Sequence, residues 1–457
     1  MLNDKLDRIF SNAIIDTFRI CMLNKKVDST RFTPDFNQML KIVILNSLGF
    51  FFIGFLVPII ARYNMVASAI QISLIVSIQV LGRTISGTVT GFLTDRVKSR
   101  RKLVLIGSIG RGTSYFIIYS AIILNSVILL GVGTFTLGFM AGVFWVPFNT
   151  LIAEKSNKDN RSEAYGKRNS SNAIGQMIGG VIGFLLLMIL GFFTSNPFLL
   201  YASIPMFGIA NFYAGYKFNR EVDESVKFHV PSANLTNPLN KENKKKQAKL
   251  AGPIMLGSIF LMLVLLLSNI NGSISKPFLN IYVIETIESN IQLVTWAYLP
   301  AGIVATLLAP KLGILVDKLR PAIGITITST LGALVTWLLI NSANIWVFTL
   351  LLLIDLTIMI ASGLIFQNLL SRISLKNRGK ILGLGELFQF LGSFIGPLLG
   401  GIVWDFIGPS YPFIISIFVE LSLIPLYLVV VYYLIPHLAE TYSKENEKKS
   451  SRKINNT

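Results

Sequence analysis

Six ionisable residues, Glu420 among them, sit inside long apolar runs, where a charge is expensive and a function is the default explanation. Asp355 interrupts LLLLIDLTIMI, residues 350–360. It lies roughly eleven residues into its run, near mid-depth at about 1.5 Å per helical residue. A carboxylate there either pairs with a cation or takes up a proton, and either behaviour suits ion coupling or substrate binding. The plainer alternative is a structural ion pair. Lys276 occupies a second run. Glu386 follows Lys380 and lies only about 9 Å into its helix, which suits a gate acid better than a deep site. Arg83 and Arg111 could reach an anionic substrate, pair with Glu386, or extend towards the headgroups.

The runs that must position these residues recur along the whole chain. Of 457 residues, 52% are hydrophobic and only 14% charged, against about 25% charged in a soluble domain. Mean hydropathy is clearly positive. A helix needs about 20 apolar residues to cross a bilayer, and lone strands cannot satisfy their backbone groups there. The chain therefore reads as an all-α membrane protein. Twelve transmembrane helices are expected, at 42–61, 67–92, 103–125, 127–152, 166–191, 197–217, 252–283, 292–314, 322–340, 344–369, 381–404 and 411–435. These are spans 1 to 12 below. Pro58, Pro147 and Pro300 are expected to kink them.

A net charge of +18 raises the question of nucleic acid, and the placement of the bases answers it. All but four of the 41 Lys and Arg fall in the N-terminal segment, around the connections after even-numbered spans, or in the C-terminal tail. Arg62 lies on the other side, and Arg83, Arg111 and Lys276 lie within spans. Lys and Arg accumulate on the cytoplasmic side. A multi-pass protein of the cell membrane with both termini cytoplasmic is expected, and no nucleic acid partner.

Residues 1–40 read as a cytoplasmic N-terminal segment without a signal peptide, with an interfacial helix or a disordered arm within 2–21. Residues 41–217 and 252–436 read as six-helix bundles, 218–251 as a cytoplasmic linker able to lie against anionic headgroups, and 437–457 as a cytoplasmic tail. The single Cys21 excludes an intrachain disulfide and a cysteine-based metal site, and both histidines, His229 and His437, fall outside the runs. Neither a metal nor a cofactor is expected.

The two halves repeat each other. GFLTDRVKSRRK at 91–102 is echoed by GILVDKLRP from Gly313: Gly91 matches Gly313, Leu93 Leu315, Asp95 Asp317, Arg96 Lys318 and Lys98 Arg320. A second echo pairs Asn160-Arg161 with Asn377-Arg378, and Gly166, Gly175, Gly179 and Gly183 with Gly383, Gly392, Gly396 and Gly400. Both halves start on the same side, so the repeats are parallel. Small residues at this spacing let helices approach closely in lipid.

At this point the sequence resembles the major facilitator superfamily of secondary transporters. The motif is Gly-x-Leu-x-Asp-Arg followed by an Arg pair, here GFLTDRVKSRR between spans 2 and 3, with Lys98 standing where the family usually has glycine. The resemblance implies a twelve-helix fold of two six-helix repeats and a conformational latch formed by Gly91, Asp95, Arg96, Arg100 and Arg101, with Gly313, Asp317 and Lys318 as the second copy. Asp95 would face the N-terminus of a helix from the other half, where the dipole favours negative charge.

In that family spans 1, 4, 7 and 10 line the central cavity. Lys276 then becomes the natural counter-charge of Asp355, and Asn46, Trp145, Asn149, Asn269, Asn271 and Gln367 become cavity candidates. Polar residues of this kind are otherwise interhelical hydrogen bonds. Glu420 is expected at the periphery, because span 12 packs outside the cavity. GPLLGG at 396–401 looks like a motif that the family's antiporters carry in the fifth span; here it falls in the eleventh and is not read as a sign of antiport.

The function expected is secondary active transport of a small-molecule substrate by alternating access, as symporter or antiporter, coupled to protons or another ion such as sodium. A monomer among membrane lipids is expected. The alternative is a non-transporting receptor or sensor on the same fold. An enzyme is not expected: the spans contain no histidine for a catalytic set, and no Gly-x4-Gly-Lys-Ser/Thr phosphate loop occurs.

Overall fold

The computed structural model describes residues 31–97, 99–157, 161–228, 242–372 (without 292, 299, 303, 306, 307 and 309–320) and 378–434. The region 2–21, residues 229–241 of the linker and the tail lie outside the described residues, as do Lys98, Gly313, Asp317 and Lys318.

Helices fill the expected positions. Span 1 is Phe36–Ser47 followed by Phe50–Tyr63, span 2 Ala69–Arg96, span 3 Arg100–Ile123, span 4 Val127–Glu154, span 5 Arg161–Phe193 and span 6 Ser203–Glu221. Span 7 is Glu242–Ile274 followed by Lys276–Thr286, span 9 Pro321–Ile340, span 10 Ile345–Arg372, span 11 Arg378–Phe406 and span 12 Tyr411–Leu434. The expected span 8 is helical over 293–298 and 300–302. Nine helices among the described residues are long and apolar enough to cross a membrane. The span 3 helix, which carries Arg100, Arg101, Lys102 and Arg111, is not among them, nor is span 6.

The chain ends of spans alternate between two faces. The connection after span 2, with Arg96 to Lys102, marks the basic face; Arg62 and the start of span 2 mark the far face.

Spans 1 and 7 both break midway, and at matching places. Span 1 breaks at Gly49, whose φ of +79° favours a residue without Cβ. A Cβ there would also meet the Phe207 ring at 2.5 Å. Span 7 breaks at Ser275, and Pro277 follows within the first turn of the next segment, where its missing N–H costs nothing.

The second glycine echo acquires its reason here. Gly175, Gly179 and Gly183 of span 5 press on Ser47, Leu48 and Phe52 of span 1, and Gly392, Gly396 and Gly400 of span 11 press on Asn269, Ser273 and Phe278 of span 7. Phe52 against Gly183 and Phe278 against Gly400 play matching parts. A side chain at any of these glycines would push apart the helix pair that each half repeats.

Candidate functional site

The halves meet at the far face. Span 2 packs on span 11, and the second segments of spans 1 and 7 pack on each other. The Ala69 and Ile70 backbone N–H groups donate to the Asp405 carboxylate at 3.1 and 2.9 Å. Ser68 and Gln71 close a capping box on that same helix start, so Asp405 takes up first-turn donors that the box leaves over. Arg62 Nε donates to Glu285 Oε1 at 2.9 Å, Asn280 Nδ2 to the Phe55 carbonyl at 3.3 Å and Ser77 Oγ to the Phe394 carbonyl at 2.9 Å. Phe55 also meets Tyr298 edge-on, with ring centroids 5.1 Å apart. At mid-depth Arg83 stacks over Phe390 at 5.4 Å. Among the described residues, spans 4 and 5 make no comparable packing with spans 10 and 11.

The basic face is held together within the N-terminal half. Arg100 pairs with Glu154, which also faces Lys227 Nζ at 3.5 Å. Glu224 accepts from Ser99 Oγ and the Arg101 backbone N–H, while Arg101 Nη1 reaches the Val222 carbonyl at 3.3 Å. Lys155 is buried, pairs with Asp35 at 2.5 Å and donates to the Asp223 and Val226 carbonyls at 2.6 and 2.9 Å. The Ser225 backbone N–H and hydroxyl hold the Asp223 carboxyl below its ordinary range. Arg100 and Arg101 of the motif thus bind acids and carbonyls of their own half. Gly91 packs against nothing that a Cβ would meet, Arg96 is exposed, and the side chain of Asp95 lies outside the described residues.

Two polar clusters occupy the interior. In the N-terminal half Arg111 is 2% exposed and donates to Asn46 Oδ1; Asn46 Nδ2 donates to Ser108 Oγ at 2.7 Å, and Ser108 to the Asn211 carbonyl at 2.8 Å. The Arg111 guanidinium lies 5.5 Å from the centre of the Phe144 ring, and its Nε has no partner. Phe144 meets Trp145 edge-on, and Arg168 of span 5 covers Trp145 at 5.2 Å. Asn149 Oδ1 is buried without a partner.

In the C-terminal half Asn271 Nδ2 donates to Glu420 Oε2 at 2.5 Å, with Ser329 beside this carboxylate. Asp355 lies within electrostatic reach of Glu420 and of Tyr298. Spans 7, 8, 9, 10 and 12 each contribute one of these five residues.

Two expectations are corrected. Lys276 does not pair with Asp355: among the described residues it has no acid partner. It opens a new helical segment after the break at Ser275, and that break carries it off the line of span 10. Glu420 is not peripheral: it sits beside Asp355, because spans 7 and 9 both pack on span 12 and present Asn271 and Ser329 to its inner side. Asn269 donates to its own helix, at the Leu265 carbonyl 2.8 Å away, and abuts Gly392. The side chains of Gln367 and Glu386 lie outside the described residues. A cleft of about 600 Å³ between spans 7 and 12 is lined by Leu256, Phe260, Leu428, Val429, Tyr432 and Tyr433, carries no charge and lies apart from both clusters.

Two helical halves joined at one face around polar interior clusters form the architecture of a multi-pass membrane transporter. The Major Facilitator Superfamily model matches residues 40–384, and the chain belongs to that family. It is 29% identical over 133 residues to the proton-coupled antiporter flippase LtaA of two Staphylococcus epidermidis strains, a match covering 26% of this chain. The chain spans about a third of the length of these curated relatives, 32% in each. In three dimensions it resembles a bacterial homologue of the human lysosomal transporter Spinster in an inward-facing, unoccupied conformation, with a TM-score of 0.67 at 14% identity over 88% of this chain and 97% of that one. A point mutant of the nucleoside transporter NupG follows at TM-score 0.61 and 13% identity, covering 86% of this chain and all of the other, 100%. At these identities the structures speak to fold alone.

Proposed function

We propose that the chain is a secondary active transporter that moves a small solute by alternating access, coupled to protons through Asp355 and Glu420. The observation that carries this reading is the one-sided join between the halves, centred on Asp405 and the start of span 2. Contacts confined to one face favour one of two arrangements, and a solute or proton that binds the two unequally shifts the balance. The basic face is cytoplasmic by the positive-inside rule, which puts both termini in the cytoplasm and makes this arrangement the inward-facing one. Residues 41–217 and 252–436 act as the rocking halves.

The acid cluster supplies the coupling. Two neighbouring carboxylates in the interior of one half offer a transported proton a place to reside between the two sides. No acid lies within the apolar runs 42–61, 67–92, 103–125, 127–152, 166–191 and 197–217, which leaves the C-terminal half as the proton carrier. The similarity to a relative described as a proton-coupled antiporter supports the same ion.

The test is proton movement in proteoliposomes loaded with a pH-sensitive dye and challenged with a panel of solutes. Gradient-driven accumulation should be lost in Asp355→Asn while solute exchange continues. Unchanged accumulation in the variant would remove Asp355 from the mechanism, and a wild type that moves no proton with any solute would remove the proton.

A further inference from the structure

Among the described residues, four of the charges deep in the spans, Asp355, Glu420, Arg111 and Lys276, do not pair as cation with acid. Asp355 and Glu420 keep each other's company with Asn271 and Ser329. Arg111 has an asparagine and the face of a ring. Lys276 has no hydrogen bond or ion pair from its side chain among the described residues. An ammonium that borders an internal space with no acid beside it among the described residues leaves its charge available to an anion that arrives from outside.

The position of Lys276 says where that partner would bind. Lys276 and Asn280 are four residues apart on the half-helix Lys276–Thr286 and share one of its faces. Asn280 reaches the Phe55 carbonyl of the other half, so this face looks across the interface between halves. Lys276 lies one turn nearer the basic face, just where the halves part. It is exposed there although it is deep inside the protein, so the space it borders is internal. One turn earlier Gly272 is also exposed, and a Cβ on it would meet nothing within 4 Å. Across the interface Gly54 likewise has nothing within 4 Å. The start of the half-helix adds its own positive potential.

We propose that Lys276 is the anion-binding point of the central cavity and that the transported solute carries an oxyanion, for which a phosphate ester is the probe. This rests on the transporter reading and names the class of its substrate. A soluble organic phosphate and an anionic lipid headgroup present the same group to the lysine.

The experiment needs no knowledge of the solute. Gly272→Cys in a Cys21→Ser background places one thiol beside Lys276. Its rate of modification is measured with an anionic and a cationic methanethiosulfonate of similar size. The anionic reagent should react faster. Lys276→Gln should lower the anion-to-cation rate ratio by about threefold or more, as expected for a unit charge roughly 7 Å away even in a water-like dielectric. Lys276→Arg should keep the preference. A cationic preference, no preference, or no reaction with either reagent would overturn the proposal, as would a ratio unmoved by Lys276→Gln.

Protection then separates the two sources. Glycerol phosphate slowing the reaction in phosphatidylcholine nanodiscs indicates a soluble anion. Protection only when phosphatidylglycerol replaces phosphatidylcholine indicates a headgroup. Protection by neither overturns the oxyanion assignment. The labelling requires no flux, so a failure of gradient-driven transport would be seen separately and would count against the transporter reading.

Discussion

Asp405, at the end of span 11, receives the Ile70 backbone N–H at 2.9 Å in the first turn of span 2. A carboxylate from one half thus caps a helix of the other, with the second oxygen on Ala69 at 3.1 Å. The relationship expected of Asp95 at the basic face therefore has a counterpart at the far face. An anion at a helix N-terminus contributes about 0.3–1 kcal/mol, and about 2 kcal/mol when partly buried. Asp405→Asn should therefore shift the balance towards far-face opening by between about twofold and thirtyfold. A cysteine placed at Ser73, buried behind this contact, should react correspondingly faster from that side. An unchanged rate would mean that Asp405 does not hold the closure.

The neighbouring Arg62–Glu285 pair should matter less. Its side chains are 31% and 25% exposed, and pairs that water reaches contribute about 0–1 kcal/mol. In the same assay Glu285→Gln should change the rate less than Asp405→Asn does. The reverse ranking would place the main lock on the ion pair.

Glu420 accepts from Asn271 inside the C-terminal half. Glu420→Leu strands the Asn271 amide, and a buried unsatisfied group costs about 1–3 kcal/mol. The detergent-purified variant should melt at a lower temperature than wild type, whereas Glu420→Gln, which still accepts, should lose less. Equal losses would show that the hydrogen bond contributes little.

At the basic face Lys155 is 1% exposed and paired with Asp35. Removing one partner of a buried pair costs about 3–5 kcal/mol because the other is left uncompensated. Asp35→Asn should therefore destabilise the N-terminal half far more than Lys227→Gln, whose 3.5 Å contact with Glu154 is largely exposed. Thermal melting of both variants compares them, and similar melting temperatures would contradict the burial argument.

The fold was largely legible because its signals are local. Apolar runs of membrane length, bases confined to alternate connections and two ordered echoes can each be read without knowing which helix touches which. The site was legible by residue but not by partnership. Asp355, Lys276 and Arg111 stand out as charges in lipid-length runs, yet the pairing of Lys276 with Asp355 fails because span 7 breaks at Ser275, a break that neither a serine nor a following proline announces. Asp405 escaped notice because it lies just past the expected end of span 11, and its partners are backbone groups from the opposite half. Glu420 was placed outside because the family layout fixes where a helix stands and not which way it is turned. Arg100 and Arg101 could be assigned to a face, but their choice of Glu154 and the Val222 carbonyl depends on how the connections fold over one another.

The central claim is that the halves rock between two arrangements, and the distance across the far face tests it most directly. Val66 and Ile407 lie on opposite halves at that face and are exposed. Spin labels on cysteines at these positions, in a Cys21→Ser background reconstituted in nanodiscs, report their separation by pulsed electron resonance. The account predicts two separations, with the shorter dominant in the wild type and the longer gaining population in Asp405→Asn. A single narrow separation, unchanged by Asp405→Asn and by pH, would contradict it.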